Sequence, residues 1–201
     1  MKISIIDTGS ANLNSVVQAF KRIGYEAIVS SEISELQNAD RLVLPGVGTA
    51  AAVMDGINKY KLRDFILETQ KPLLGICLGM QIQATDSEEV PLGQTSVIEC
   101  LDFVTTRVVK LKCDNLRLPH MGWNTVNHTD HPLFSGIKQD AYFYFDHSFA
   151  MQTGDYTIGK TTYGTEFSSA IAKNNFMGVQ FHPEKSSAAG EQLLTNFIKN
   201  F

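Results

Sequence analysis

The sequence predicts an α/β protein: a single domain with a doubly wound, mainly parallel sheet that gains antiparallel strands in its second half. In the first half, short apolar runs alternate with amphipathic stretches, a pattern typical of parallel strands joined by helices. In the second half, short strand-like runs are separated by turns, which favours antiparallel pairing. The length of 201 residues and the 43% hydrophobic content suit one domain over residues 1–201 with a substantial core.

The first half supplies four strands and two helices. The first strand covers Ile3 to Ile6, and strand character returns at Tyr25 to Val29 and at Arg41 to Leu44. After the first strand, apolar residues recur at the spacing of one helical face: Leu13, Val16, Val17, Phe20 and Ile23. Pro45 to Gly48 ends the third strand, and Thr49 to Thr69 predicts the second helix. The fourth strand follows, and in such a sheet ligands bind at the carboxyl ends of the strands.

The second half consists of short strands and one final helix. Strand character is found at residues 98–111, 142–151, 156–161, 169–172 and 177–181. We expect these runs to add antiparallel strands to the sheet. The final helix has an apolar stripe formed by Leu193, Leu194, Phe197, Ile198 and Phe201.

Charge and cysteine content exclude several classes of function. The chain has 17 Lys and Arg against 21 Asp and Glu, a net charge of −4, without a basic run that could follow a phosphate backbone, so nucleic acid is not expected as a partner. The N-terminus enters a strand directly and no apolar run approaches membrane-spanning length, which predicts a cytoplasmic protein without membrane contact. Three widely spaced cysteines support neither a disulfide framework nor a zinc site.

The fourth strand leads into Gly-x-Cys-x-Gly at residues 75–79. We interpret this as a strand that enters a helix through a sharp turn with Cys77 at its apex, because glycines remove Cβ atoms that would clash in such a turn. At the start of the helix, unpaired N–H groups favour a thiolate. Cys77 is therefore a candidate nucleophile. The alternative is a buried cysteine that acts as a small apolar side chain.

A cysteine nucleophile needs a base, and His182 is the best candidate. Residues two apart in an extended segment point to the same face, so Glu184 can accept a hydrogen bond from one ring nitrogen of His182 and leave the other for Cys77. Alternatively, His182 only closes a strand before Pro183 and Glu184 is solvated. His120 and His147 flank aromatic runs and either pack in the core or line a site.

Attack on a carbonyl also needs hydrogen-bond donors for the oxyanion. The N–H of Leu78 follows the nucleophile directly, and the glycines of Pro45 to Gly48 offer further N–H groups at the same end of the sheet. We therefore predict oxyanion contacts from Gly48 and Leu78. A plain tight turn is the alternative explanation of Pro45 to Gly48.

Together these stretches resemble the glutamine amidotransferases that use a Cys-His-Glu triad. Within that class, the chain resembles the family of glutaminase subunits of imidazole glycerol phosphate synthases. The resemblance spans nearly the whole chain and rests on Ile6-Asp7, Gly9, Asn12-Leu13 and the segments 44–48, 75–81, 119–124, 144–148 and 178–186. The chain departs from the family pattern at Thr8, Ala11 and Asp146 and over Thr85 to Val104.

The resemblance implies a flavodoxin-like class I amidotransferase fold and specific roles for individual residues. The implied triad is Cys77, His182 and Glu184. The substrate L-glutamine would be held by Gly46, Gln81, His147 and Ser148, and the partner would be contacted by Asn12, Trp123 and Lys185. No cofactor and no metal are implied.

The resemblance also implies a partner and a form of regulation. Ammonia released from glutamine would pass to a (β/α)8 cyclase subunit in a heterodimer, which would use it in histidine biosynthesis. The glutaminase would be nearly idle until the partner binds its own substrate. We hypothesise that a peptide flip in Pro45 to Gly48 controls this activation, because glycines allow such a flip. Two alternatives remain open: a triad subunit that serves a different synthase, and a binding subunit without activity.

Overall fold

A computed structural model of the chain describes residues 1–9, 13–91, 93, 96–113 and 115–201. Its helices are α1 Leu13–Arg22, α2 Ile33–Leu36, α3 Ala50–Lys59, α4 Arg63–Glu68, α5 Leu78–Gln81 and α6 Ser187–Asn200. Its strands are β1 Ile3–Ile6, β2 Ala27–Ser30, β3 Arg41–Gly46, β4 Leu73–Cys77, β5 Asp86–Ser87, β6 Ile98–Glu99, β7 Arg107–Lys110, β8 His120–His128, β9 Ala141–His147, β10 Phe149–Met151, β11 Thr157–Tyr163, β12 Thr165–Lys173 and β13 Phe176–Val179. Short 3-10 turns cover Pro132–Phe134 and Pro183–Lys185.

The main sheet confirms the predicted α/β architecture. Over the described residues it has nine strands in the order β2-β1-β3-β4-β13-β12-β11-β8-β9. The pairs from β2 to β13 are parallel, and those from β13 to β9 are antiparallel. The strand that leads to His182, β13, lies directly beside the strand that ends at Cys77, β4. The sheet order therefore brings two distant parts of the chain together.

Helices cover both faces of the parallel part, because side chains along each strand alternate between two cores. In β3, Val43 packs in the core that contains α1 and α6, while Leu42 and Leu44 pack in the core that contains α3 and α4. In β4, Leu74 and Leu73 divide in the same way. Alternating apolar residues on both faces are what a doubly wound sheet requires.

The second half differs in part from the predicted additions to one sheet. Strands β5, β6, β7 and β10 form a separate four-stranded sheet in the order β10-β7-β5-β6. The predicted run at 142–151 divides at Ser148, since β9 joins the main sheet and β10 joins the small one. Ser148 therefore lies where the chain passes between the two sheets.

Two elements correct the predicted helices and connections. The helix predicted over Thr49 to Thr69 is broken, because Lys61 adopts φ +55° and separates α3 from α4. The polar connection after β2 contains the short helix α2. Among the described residues, no helix combines the length and the apolar character needed to cross a membrane.

Candidate active site

The turn at Cys77 is a tight strand-to-helix connection. Cys77 is the last residue of β4, its φ is +54°, and α5 begins at the next residue. A Cβ atom at Gly79 would overlap the carbonyl of Leu44 in β3, and one at Gly75 would overlap the carbonyl of Gly79. The two glycines thus allow α5 to lie directly against the sheet, which is the close approach that the predicted turn requires.

The structure brings Cys77, His182 and Glu184 together. Cys77 and His182 line the same cavity, and His182 Nδ1 lies 2.8 Å from Glu184 Oε1. The side chains of His182 and Glu184 are only 6% and 4% exposed, so solvent screens their interaction little. Burial by itself would lower the pKa of His182, but the hydrogen bonds and negative charges of Cys77 and Glu184 raise it to about 10. The pair is therefore suited to a thiolate beside an imidazolium.

Ser186 fixes the segment that holds His182, a role the sequence analysis missed. Its buried hydroxyl donates to the carbonyl of His182 at 2.6 Å and accepts from the N–H of Tyr144 at 2.9 Å. The N–H of His182 in turn donates to the carbonyl of Tyr144 at 2.8 Å. The first bond lies within the segment, and the other two join it to β9. They limit the positions that the His182 ring can take.

A cavity of about 220 Å³ opens beside Cys77. It is lined by Val47, Gly48, Cys77, Leu78, Gln81, Glu89, Asp146, His147, Ser148, Phe149, His182 and Lys185. Pockets for drug-sized ligands are larger, roughly 300–1,000 Å³, so this volume suits a small polar molecule. All the predicted catalytic, oxyanion and substrate residues line the cavity except Glu184 and Gly46, which border a smaller adjoining cavity.

The two predicted oxyanion residues line the same cavity as the nucleophile. Leu78 follows Cys77 in α5, and Gly48 follows β3 with φ +94°. Gly46 packs under the turn, where an added Cβ would lie 2.7 Å from Leu78 Cβ. A glycine is therefore required at position 46 by the packing of the turn. The predicted contact of Gly46 with the substrate stays a prediction.

Gln81 and Gln180 form an amide pair beside the nucleophile. Gln81 Nε2 donates to the carbonyl of Phe149 at 2.7 Å and to Gln180 Oε1 at 2.9 Å, and Gln180 Nε2 lies 3.7 Å from Cys77 Sγ. Because a carbonyl can only accept, these contacts fix which end of the Gln81 amide is nitrogen. No group in the described part of the chain donates to Gln81 Oε1, which is buried. Gln180 lies in the recognised segment before His182 but has no local pattern of its own.

Charged side chains line the rim of the cavity, and two of them were not predicted as site residues. Glu89 lies in the segment that departs from the family pattern, and its Oε2 accepts from the N–H of Ala50 at 3.0 Å. Burial raises the pKa of Glu89, against the effect of that hydrogen bond. Asp146 also lines the cavity, and its carbonyl lies 3.9 Å from Cys77 Sγ. No sequence pattern marks Glu89, because a polar loop brings it to the site.

The ring of His147 is buried, and its surroundings keep it uncharged. Its Nδ1 lies 2.9 Å from the carbonyl of Phe149. Burial lowers its pKa to about 3, and positive charge on His120 or His182 would lower it further, while the bond to Phe149 opposes the shift. His147 is therefore not a second acid or base at neutral pH.

The predicted partner residues have different locations. Trp123 is 50% exposed on β8, outside the cavity. Lys185 lines the cavity and lies 5.4 Å above the ring of Tyr144. Asn12 lies outside the described residues. No cluster of three or more potential metal ligands occurs in the described ranges.

Comparison with known proteins agrees with this geometry. The family described as Glutamine amidotransferase class-I matches residues 4–201. Imidazole glycerol phosphate synthase subunit HisH of Photobacterium profundum is 50% identical over 203 residues, which cover 98% of this chain and 97% of that protein. The same subunit of Vibrio cholerae is 50% identical over 198 residues, with 98% of both chains covered.

Structural comparison supports the same fold. A glutamine amidotransferase of Thermotoga maritima has a TM-score of 0.64 at 15% identity, over 100% of this chain and 83% of that one. This likeness confirms the predicted fold, while the sequence matches identify the family. The chain belongs to the class-I glutamine amidotransferases and, within them, to the family of HisH subunits of imidazole glycerol phosphate synthase.

Proposed function

We propose that this chain is the glutaminase subunit of imidazole glycerol phosphate synthase, acting in the cytoplasm as a heterodimer with a (β/α)8 cyclase subunit. It hydrolyses glutamine to glutamate and ammonia, and the cyclase uses the ammonia to make imidazole glycerol phosphate and aminoimidazole carboxamide ribotide in histidine biosynthesis. The observation that supports this most directly is that buried His182, paired with Glu184, lines the same small polar cavity as Cys77.

The first half of the reaction forms a thioester. The Cys77 thiolate attacks the side-chain amide carbon of glutamine, and the carbonyl electrons move to oxygen, where N–H groups of Gly48 and Leu78 stabilise the charge. When the intermediate collapses, the carbon–nitrogen bond breaks and His182 donates its proton to the departing nitrogen, which leaves as ammonia. The raised pKa of His182 keeps that proton available at neutral pH.

The second half hydrolyses the thioester. His182, now neutral, removes a proton from water as the water oxygen attacks the thioester carbon. The carbon–sulfur bond then breaks, and the sulfur leaves as a thiolate. Glutamate is released, and the pair of Cys77 thiolate and His182 imidazolium is restored. Glu184 holds the ring of His182 in one orientation through both steps.

Substrate recognition follows from the groups at the cavity wall. A free amino acid carries an ammonium group and a carboxylate. The buried Oε1 of Gln81 can accept from such an ammonium, and the carboxylate of Glu89 can neutralise its charge. His147 and Ser148 line the same cavity, and their backbone N–H groups would donate to the substrate carboxylate.

An exposed aromatic face next to the cavity suits the cyclase partner. In the β8–β9 ribbon, Trp123 pairs with Tyr144 and Met121 pairs with Asp146, so these side chains share one face. Met121 and Trp123 are 61% and 50% exposed, and Asp146 lines the cavity. Exposed aromatic groups that adjoin a site are typical of protein interfaces. A partner bound there would cover the cavity mouth and receive ammonia before it reaches water.

Steady-state glutaminase assays test this proposal. The purified chain is assayed alone and with the cyclase partner and its nucleotide ligand, with Cys77→Ala as the inactive control. We expect strong stimulation by the liganded cyclase and loss of hydrolysis in the variant. Stimulation by a different synthase only, or equal hydrolysis by Cys77→Ala, would contradict the proposal.

A further inference from the structure

A line of buried side-chain hydrogen bonds connects β8 to the wall of the cavity. Asn124 Nδ2 lies 3.2 Å from His120 Nε2, and His120 Nδ1 lies 3.0 Å from His147 Nε2. His147 Nδ1 lies 2.9 Å from the carbonyl of Phe149. His120 and His147 are 3% and 6% exposed, so water does not compete for these bonds.

Only one arrangement of protons satisfies the whole line. The carbonyl of Phe149 can only accept, so His147 Nδ1 carries the proton and its Nε2 accepts. His120 must then donate from Nδ1, which leaves His120 Nε2 to accept from the amide nitrogen of Asn124. The amide of Asn124 is itself oriented, since its Nδ2 also donates to the carbonyl of Thr162 and its Oδ1 accepts from the N–H of Thr125.

Both rings of the line are neutral at physiological pH. Burial lowers the pKa of His120 to about 4 and that of His147 to about 3. A proton added to His147 Nε2 would face the N–H of His120, and one added to His120 Nε2 would face the amide hydrogens of Asn124. The geometry thus opposes protonation of His147 Nε2 and of His120 Nε2, the two ring nitrogens that carry no hydrogen.

The line ends at a carbonyl that also holds Gln81. The oxygen of Phe149 accepts from Gln81 Nε2 at 2.7 Å as well as from His147. Gln81 Nε2 continues to Gln180, which contacts Cys77. His120 itself does not line the cavity, so any effect it has on the reaction passes through His147.

We infer that His120 is a positioning residue: by donating to His147 Nε2 it stabilises the Nδ1–H tautomer that the Phe149 carbonyl requires, and thereby holds the carbonyl of Phe149 and the amide of Gln81 in the orientation that receives the substrate. This inference rests on the proposed glutaminase function. Neither a sequence motif nor a contact with the cavity marks His120 for this role.

Two substitutions separate hydrogen bonding from packing. The His120 ring is stacked between Tyr163 and Phe145, with ring centres 4.0 and 4.8 Å away. His120→Phe keeps this stacking and removes the donor to His147. His120→Asn keeps an N–H donor near the position of Nδ1 and removes the ring. His128→Phe is the matched control, because His128 lies on the same strand and stacks on Phe134 at 4.4 Å, away from the line.

With the cyclase and its ligand present, we expect His120→Phe to lower kcat/KM for glutamine about tenfold, the effect of one buried hydrogen bond left unmade. The change should appear mainly in KM, since the triad is untouched. His120→Asn should stay within about threefold of the parent in kcat/KM although its melting temperature falls. His128→Phe should match the parent in kcat/KM. A role in packing alone predicts the opposite order: His120→Phe active and His120→Asn impaired.

Imidazole NMR measures the tautomers directly and needs no activity. We expect the Nδ1–H form for both His120 and His147 in the parent, and a shifted His147 Nε2 resonance in His120→Phe, because that nitrogen no longer accepts the hydrogen bond from His120. An Nε2–H form of either ring in the parent would overturn the inference, as would an unchanged kcat/KM in His120→Phe when the parent is active. A parent without any glutamine hydrolysis would instead contradict the proposed function on which the inference rests.

Discussion

Replacing Glu184 with Gln tests how much of the site depends on one buried charge. The exchange keeps an oxygen that can accept from His182 Nδ1, now 2.8 Å away, but removes the negative charge. A hydrogen bond to a charged group contributes about 1.5–3 kcal/mol and a neutral one about 0.5–1.5. The difference is about 1.4 kcal/mol, which corresponds to about one pKa unit. We therefore expect the pKa of His182 to fall from about 10 by about one unit.

The pH profile of glutamine hydrolysis measures this change. His182 must be protonated when ammonia departs, so kcat/KM falls at alkaline pH as His182 loses its proton. In Glu184→Gln the alkaline limb should move to lower pH by about one unit. The assay is run with the cyclase partner and its ligand, because the unstimulated rate is expected to be low.

Stability should change with pH in the same sense. The folded state binds the proton of His182 more tightly than the unfolded chain, whose His pKa is 6.5. The resulting stabilisation is complete below about pH 6.5 and is lost as the pH rises through about 10. Glu184→Gln should therefore be less stable than the parent by about 1.4 kcal/mol at pH 6, and the difference should shrink toward pH 10. Urea unfolding at several pH values measures it.

Glu191→Gln is the matched control. Glu191 lies 3.0 Å from Arg22 in an ion pair whose side chains are 39% and 48% exposed, so solvent screens it. Its exchange should leave the alkaline limb in place. An alkaline limb at the same pH in Glu184→Gln and in the parent would refute the assignment of Glu184 as one of the two groups that raise the pKa of His182.

Three further predictions concern the cavity and its rim. Gly48→Val should reduce stimulation by the cyclase at least tenfold. The φ of Gly48 is +94° and the space around an added Cβ is open, so only backbone strain opposes the exchange. Unchanged stimulation in the glutaminase assay would count against a peptide flip in Pro45 to Gly48 as the activating change. Glu89→Gln should raise KM for glutamine about tenfold with a smaller change in kcat, because the substrate ammonium loses the negative charge of the Glu89 carboxylate. Equal KM values in the variant and the parent would exclude a contact between Glu89 and the ammonium. Trp123→Ala should weaken cyclase binding about tenfold or more in calorimetry, whereas equal affinity would remove Trp123 from the interface.

The first half of the fold could be predicted because its apolar residues follow simple periods. Strands β1, β3 and β4 place apolar side chains on both faces, and α1 has one apolar face. The break at Lys61 could not be predicted, since neither glycine nor proline marks it and the apolar spacing continues across it. Such a turn depends on how α3 and α4 pack against the sheet. Local spacing does not report that packing.

Strand β8 was missed for a different reason. Two of its three apolar residues, Met121 and Trp123, are on the exposed face, while polar His120 is on the buried face with Val126. This reverses the polarity that a half-buried strand normally has. The reversal is explained if the buried face holds the hydrogen-bond network of His120 and the exposed face binds the proposed cyclase partner. The strand therefore escapes detection by the same features that suit it to its proposed role.

The sequence placed Cys77, His182 and Glu184 in one site because two local motifs and a family resemblance point to them. It did not identify Ser186 or Glu89. Each acts through contact with a backbone N–H of a distant segment, Tyr144 and Ala50 in turn. Every residue except proline can supply a backbone N–H, so the sequence of the donating segment contains no sign of the contact.

Two buried histidines near the same cavity are assigned opposite charge states, and the difference lies in what each Nδ1 meets. His182 Nδ1 faces the carboxylate of Glu184, and Cys77 and Glu184 together raise the pKa of His182 against the effect of burial. His147 Nδ1 faces the carbonyl of Phe149, which orients the ring but leaves burial dominant. A positive charge on His147 would also disfavour the one on His182 through repulsion. The neutrality of His147 therefore helps to keep the proton on His182, where the departing ammonia needs it.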